Sequence, residues 1–158
     1  MTQHEIIVGR LNYVRGWLDD VLPRLTAEML SWAPTEGMRT ISGQLEEIIS
    51  VEAQLLATLK EGKELPWDEI AAIVGDLTSL DGLLKALTDV RGRTLAHLAT
   101  LSEADLAEEV NLPQWYGAYW PKPCPLGEHF RNIAEHEFYH VGQLNSYLWA
   151  KGDNPYDW

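Results

Sequence analysis

The sequence predicts an all-α protein: a four-helix bundle with short extra helices and an aromatic loop before the last helix. Apolar residues recur at helical spacing in four long segments of roughly equal length, as is typical of such bundles. Capping or breaking residues separate these segments. The chain has 158 residues, of which 46% are hydrophobic, which is enough for one core. We therefore expect a single domain over residues 1–158.

The first predicted helix has one apolar face. Its apolar residues recur at steps of four and three, as on one side of an amphipathic helix. They are Ile7, Leu11, Val14, Leu18 and Val21. Pro23 ends this helix, because the residue before a proline is disfavoured in the α conformation. One short helical turn over residues 26–30 and a loop over residues 32–37 follow.

The second helix is predicted over residues 40–60, and the Gly- and Pro-containing stretch 62–66 ends it. Its apolar residues are Ile41, Leu45, Ile48, Ile49, Leu55, Leu56 and Leu59. A short helix is predicted near residues 68–74. Thr78-Ser-Leu-Asp81 is typical of a capping box and opens the third helix, and Ser102-Glu-Ala-Asp105 is a second such box before a short acidic turn.

Residues 111–124 form the least helical part of the chain. Prolines and aromatic residues crowd this stretch: Pro113, Trp115, Tyr116, Tyr119, Trp120, Pro121 and Pro123. The last long helix is predicted to open at Pro125, since proline is favourable at the first helical position. Gly152 is its predicted terminator.

Composition limits the classes of partner that we expect. The formal net charge is −12, and no five-residue window is rich in lysine or arginine, so we expect no nucleic-acid partner. No apolar run is long enough for a transmembrane helix, and the N-terminus does not resemble a secretory signal. Cys124 is the single cysteine, which excludes an internal disulfide and fits a cytoplasmic location.

The last helix carries three histidines on its core-facing side. His129, His136 and His140 share one arc of the helix, and the last two are four residues apart. Their rings can reach one point inside a bundle, which suits a divalent metal. The alternative is a pair of core histidines bonded to carboxylates or tyrosine hydroxyls.

A third metal ligand must come from another helix. The second helix offers Glu46, Glu47 and Glu52, and periodicity alone favours Glu52 because it lies on the apolar side. The segment from His136 to His140 also matches the zincin pattern, with Glu137 as general base. We discount that interpretation, because too few residues follow the helix to supply the further ligand that zincins need.

Two segments carry a resemblance to a known family. Thr40-Ile-Ser-Gly-Gln-Leu-Glu-Glu-Ile-Ile-Ser-Val-Glu52 and Ala134-Glu-His-Glu-Phe-Tyr-His-Val-Gly-Gln-Leu144 together resemble the DinB/YfiT-like superfamily, the damage-inducible bundle proteins. The pattern is specific in the last helix, where it reads His-x-x-x-His-x-Gly-Gln, and looser elsewhere.

The resemblance implies a four-helix bundle, often dimeric, whose divalent metal is held by one residue of the second helix and two of the last. The usual first ligand of the family is a histidine seven residues after the Thr or Ser that opens its helix. Counted from Thr40, that position is Glu47, while His136 and His140 match the other two ligands. Glu52 would then accept a hydrogen bond from a ligand histidine. This donor set suits zinc or nickel first, with iron or manganese as alternatives.

The resemblance also implies a reaction class. Characterised relatives include transferases and isomerases that use a low-molecular-weight thiol, so we expect a homodimeric metal-dependent enzyme that acts on a small-molecule substrate. Trp115, Tyr116, Tyr119 and Trp120 could then wall an apolar pocket over the site. One alternative is a metal-dependent hydrolase with Glu137 or Glu52 as general base. The other is a non-enzymatic, stress-related binding protein with a structural metal or none.

Overall fold

The computed structural model describes residues 1–110 and 123–158. Four long helices form a bundle, which confirms the predicted fold class. The helices are α1 (Gln3–Val21), α2 (Ile41–Glu61), α3 (Trp67–Val74), α4 (Leu80–Leu98), α5 (Glu103–Ala107) and α6 (Leu126–Ala150). Two short strands, β1 (Glu109–Val110) and β2 (Cys124–Pro125), pair antiparallel between α5 and α6. The predicted pocket wall of Trp115, Tyr116, Tyr119 and Trp120 lies outside the described residues.

The contacts between the long helices determine where the candidate site lies. Helix α6 packs against α1 and α2, and α2 also packs against α4. All five apolar residues predicted for the first helix are buried in α1, as periodicity requires. Because α2 and α6 are neighbours, acidic side chains of α2 and the histidines of α6 can meet between them.

Capping side chains and prolines set most of the helix ends, and two of the predicted ends need correction. The Ser102–Asp105 capping box is confirmed, but the box predicted at Thr78 is wrong. Ser79 caps α4 instead: its hydroxyl accepts a hydrogen bond from the Gly82 amide, and both the Thr78 and Ser79 hydroxyls donate to the Asp76 carboxylate. Pro125 is not the first helical residue but precedes it, in the extended conformation that pairs β2 with β1.

Two further features of the fold bear on the predictions. Pro23 does end α1, and the chain continues as a single 3-10 turn, Leu22–Arg24. Thr40 caps α2 through its hydroxyl, which lies 3.1 Å from the Gly43 amide nitrogen. In the described part of the chain, no helix combines the length and apolar character needed to cross a membrane.

Candidate metal centre

Helices α2 and α6 bring together one carboxylate and two imidazoles. Glu47 lies in the second turn of α2, and His136 and His140 lie one turn apart on the facing side of α6. The two histidine Nε2 atoms are 3.2 Å apart. Glu47 Oε1 is 3.9 Å from Nε2 of His136 and 4.0 Å from Nε2 of His140. Three donor atoms from two helices therefore surround one point.

These spacings are compatible with a metal site. Donor atoms about 2.0–2.1 Å from a tetrahedral zinc ion lie about 3.4 Å from one another. The three separations bracket that value, so little movement would bring all three atoms into ligation. Oxygen and imidazole nitrogen donors suit zinc, nickel, iron and manganese alike.

The protonation of the histidines favours cation binding. Burial is the largest cause that lowers the pKa of each ring to about 4, and the positive charge of Arg39 adds to it in both cases. The charge of His136 lowers the pKa of His140 further, whereas Glu52 opposes the shift at His136. Both rings are thus neutral near pH 7, and a neutral imidazole has the lone pair that a metal needs.

A chain of hydrogen bonds orients His140. Its Nδ1 contacts the side-chain oxygen of Gln44, which can only accept, so Nδ1 carries the proton and Nε2 presents its lone pair to Glu47 and His136. Gln44 Nε2 donates to the Tyr147 hydroxyl at 3.2 Å, and that hydroxyl donates to the Arg39 carbonyl at 2.9 Å. Gln44 and Tyr147 are both buried.

The role expected for Glu52 requires a correction. We expected Glu52 to accept a hydrogen bond from a ligand histidine, but Arg91 holds both of its oxygens, with Nε at 2.9 Å and Nη2 at 3.1 Å. The residue that contacts His140 is Gln44, one turn before Glu47 on the same helix. A buried guanidinium is a stronger partner for a carboxylate than a neutral ring.

Glu137 belongs to the same buried ion cluster. Arg15 Nε lies 2.6 Å from Glu137 Oε1, and Arg91 contacts Oε2. Both carboxylates proposed as general bases are therefore fully buried and paired with guanidinium groups, which leaves neither free to take a proton from water. The guanidiniums have further acceptors in the Leu87 and Leu11 carbonyls.

Sequence patterns contained a signal for this cluster. Arg91 follows Leu87 by one turn on the apolar face of the third predicted helix, and Glu52 lies on that of the second. An acid and a base at core positions of neighbouring helices predict a buried ion pair, since neither is stable there alone. The signal for Gln44 was weaker, because a single amide at the flank of a helix has many uses.

An open pocket adjoins Glu47 and His136. Its volume is about 600 Å³, and Arg39, Glu47, Trp67, Asn132 and His136 are among the residues that line it. Glu47 and His136 are partly exposed to it, whereas His140 is almost fully buried behind them. His129, the third histidine of the predicted arc, lies elsewhere and contacts Cys124 at 3.2 Å.

Comparison with known proteins identifies the family. The profile of the DinB superfamily matches residues 10–144, which is most of the chain. The chain belongs to the DinB superfamily. No curated protein matches the sequence. The Glu47–His136–His140 cluster is consistent with the metal association that is general in the DinB superfamily.

Two solved structures share the fold of this DinB chain. The colibactin self-resistance protein ClbS, crystallised in complex with double-stranded DNA, aligns with a TM-score of 0.67 and 16% identity over 92% of this chain and 95% of its own. A conserved protein from Enterococcus faecalis aligns with a TM-score of 0.66 and 13% identity over 96% of each chain. At these identities the likeness shows the fold alone.

The ClbS complex overturns one prediction. We excluded nucleic-acid partners because the chain is strongly acidic, and that exclusion was wrong, since a protein with this fold is crystallised with duplex DNA. Net charge is a property of the whole surface, whereas phosphate binding depends on the charge of one face.

The expectation that the protein forms a homodimer stays a prediction.

Proposed function

We propose that this protein is a metal-dependent enzyme whose divalent ion is held by Glu47, His136 and His140. The observation that carries the proposal is the convergence of Glu47 Oε1 and the two Nε2 atoms, with separations of 3.2–4.0 Å. Neutral imidazoles and one carboxylate form a competent donor set for zinc or nickel, and also for iron or manganese.

The reaction we propose is transfer to or from a low-molecular-weight thiol. Glu47, His136 and His140 would hold a divalent ion through three ligands, and the ion would supply the positive charge that lowers the pKa of a thiol or a water molecule beside it. The residues of the chain supply the rest: Glu47 and His136 line the pocket of about 600 Å³ through which a small molecule would reach them. Asn132 and Arg39 supply hydrogen-bond donors on the same wall.

The state of the nearby carboxylates favours thiol transfer over hydrolysis. Hydrolysis at such a site commonly uses a carboxylate as general base beside the activated water. Glu52 and Glu137, the two bases considered from sequence, are both held by Arg91. A thiolate needs no further base once its proton has left to solvent, so it can attack an electrophilic carbon directly while the leaving group departs.

Metal analysis of purified protein tests the first part of the proposal. We expect close to one divalent ion per chain in the wild type after supply of Zn²⁺ or Ni²⁺, and loss of that ion in Glu47→Ala, His136→Ala and His140→Ala. Glu46→Ala is the matched control, because Glu46 lines the same pocket but is not one of the three donors. Failure of the wild type to bind Zn²⁺, Ni²⁺, Fe²⁺ or Mn²⁺, each supplied in turn, would reject the proposal.

A paired activity screen tests the reaction class. The metal-loaded protein is incubated with cysteine or glutathione and a chromogenic electrophile, and in parallel with nitrophenyl esters and amides. We expect metal-dependent loss of free thiol that His140→Ala abolishes. Turnover of the esters or amides alone would instead support the hydrolase, and turnover of neither by metal-loaded protein would favour a binding role.

Duplex DNA binding is a second candidate function, favoured by the DNA complex of ClbS. Fluorescence anisotropy of a labelled duplex tests it at about 50 mM and about 200 mM salt, because phosphate contacts weaken steeply as salt rises. Saturable binding that weakens with salt supports this candidate. The absence of any anisotropy change at low salt would reject it.

A further inference from the structure

The two oxygens of Glu47 face different partners. Oε1 faces Nε2 of His136 and Nε2 of His140, at 3.9 Å and 4.0 Å. Oε2 is paired with the Arg39 guanidinium. One oxygen of the carboxylate therefore faces the two histidines, and the other faces Arg39.

The backbone of Arg39 is held by a hydrogen bond, and its half-exposed side chain passes close to Gly43. Its backbone carbonyl accepts the Tyr147 hydroxyl at 2.9 Å, so the same hydrogen-bond chain that orients His140 also anchors the residue that holds Glu47. Its side chain crosses the first turn of α2 next to Gly43. A Cβ atom at Gly43 would lie 2.7 Å from Arg39 Cγ, which is closer than real Cβ contacts allow. Glycine at this position thus leaves the space that the arginine stem occupies.

We propose that Arg39 is a positioning residue that holds Glu47 as a one-oxygen metal ligand, and that Gly43 is required for it. This inference rests on the proposed function, because it concerns the same three-donor site. It gives a reason for a carboxylate to work where the usual ligand is a histidine. Histidine offers one lone pair, and Arg39 restricts Glu47 to one oxygen in the same way.

A simple electrostatic argument predicts that Arg39 has the opposite effect on metal affinity. A guanidinium close to a divalent ion repels it, and Arg39 also competes with the ion for the charge of Glu47. If these effects dominated, removal of Arg39 would tighten metal binding. If orientation dominates, removal weakens binding, and loss of such outer partners commonly costs about 10–100-fold in affinity. The sign of the change decides between the two roles.

The experiment measures zinc affinity by competition with a chromophoric chelator in wild type, Arg39→Met, Gly43→Ala and Gly92→Ala. Methionine keeps an unbranched stem but no charge. We expect Arg39→Met and Gly43→Ala to bind zinc about 10-fold more weakly than wild type or worse. Gly92→Ala is the matched control in α4, where an added Cβ meets nothing within 4 Å and should leave affinity unchanged. Folding of each variant is checked in parallel by circular dichroism. Glycine-to-alanine changes inside helices normally stabilise the helix, so weaker zinc binding by a folded Gly43→Ala would not reflect loss of the helix.

Two further measurements separate positioning from a structural effect. The first repeats Arg39→Met in a Glu47→His background, where no carboxylate remains to be oriented, and we expect no weakening there. The second records the visible absorption of the Co²⁺-loaded proteins, whose band intensities report coordination number. We expect Arg39→Met to change that spectrum as Glu47 becomes free to bind through both oxygens.

The outcomes discriminate between the two proposals. If wild type binds neither zinc nor cobalt, both the proposed function and this role of Arg39 are overturned. If wild type binds metal and Arg39→Met binds it equally well or more tightly, the role of Arg39 alone is overturned. Equal weakening in the Glu47→His background would also overturn it, because the loss would then not depend on the carboxylate.

Discussion

Gln44 is the side chain that selects the tautomer of His140. Its oxygen accepts from Nδ1, which leaves the lone pair of Nε2 free for a cation. Gln44→Met fills a similar volume without an acceptor, so we expect zinc affinity to fall by about 10–100-fold while the fold is kept. Competition with a chelator measures the affinity, and circular dichroism checks the helices. Unchanged affinity would show that the ring holds its orientation by packing alone.

Arg91 holds two buried carboxylates at once. It contacts Glu52 through two nitrogens and Glu137 through one, and all three side chains are almost fully buried. Arg91→Met leaves both acids without this partner, and removal of one member of a buried ion pair commonly costs about 3–5 kcal/mol. We expect a loss of that size in the free energy of unfolding, measured by urea denaturation.

A double variant is the control for Arg91. Arg91→Met with Glu52→Gln removes one of the unpaired buried charges, so the double variant should have a higher free energy of unfolding than Arg91→Met alone. No recovery in the double variant would contradict the ion-pair explanation. It would then indicate that the guanidinium stabilises the bundle mainly through its hydrogen bond to the Leu11 carbonyl at 2.8 Å.

The two glutamates of α2 show how much of the site could be predicted from sequence. Periodicity placed Glu52 at the core, and it is buried there, paired with Arg91. The family register placed Glu47 at the metal position, and its Oε1 is the oxygen near the histidines. Each pattern was informative about a different property: periodicity reports burial, whereas register reports which neighbour a side chain meets. Neither identified Gln44 or Arg39, because their roles depend on side-chain directions across two elements.

At the scale of the helices, α5 forms hydrogen bonds with the first residues of α1. The carboxylate of Glu103 accepts hydrogen bonds from the backbone amides of Gln3 at 2.9 Å and His4 at 3.0 Å. These bonds satisfy amides that a helix start leaves free, and they join segments about a hundred residues apart. The backbone hydrogen bonds from His4 and Gln3 are the main causes that lower the pKa of Glu103 below its ordinary 4.5.

This contact predicts a pH-dependent contribution to stability. Because the pKa of Glu103 is lower in the folded state, its contribution is fully present above pH 4.5 and is lost as pH falls through the folded value. We expect Glu103→Gln to lower the melting temperature at neutral pH, with the difference from wild type vanishing in acid. Melting curves over a pH series measure it, and Glu36→Gln in the exposed loop is the control. A difference that persists in acid would contradict this assignment.

Helix boundaries were predictable where a single residue decides them. Thr40, Ser102 and Pro23 act through their own side chains, and all three behave as the sequence indicated. The start of α4 was not predictable in the same way, because two adjacent hydroxyls, Thr78 and Ser79, can both serve as a cap and both contact Asp76, and Ser79 is the one that accepts from the Gly82 amide. Pro125 precedes α6 because β2 pairs with β1, a contact with a distant segment that no local pattern contains.

For the molecule as a whole, the bundle was predictable because four amphipathic segments can bury their apolar faces in few other ways. The partner class was not. Net charge excluded nucleic acid, yet a chain of the same fold is crystallised with duplex DNA. Fold class follows from the spacing of apolar residues along the whole chain, whereas a binding surface depends on a few exposed side chains, whose charge a whole-chain composition does not resolve.

Metal binding should stabilise the whole bundle, not only the site. The three proposed ligands join α2 to α6, and such a site does not exist in the unfolded chain. A ligand that binds only the folded state adds about 2.7 kcal/mol when its concentration is 100 times Kd. We therefore expect zinc to raise the melting temperature of wild type, and EDTA to reverse the rise. His140→Ala should show neither change, and a zinc-induced rise in that variant would place the stabilising ion at another site.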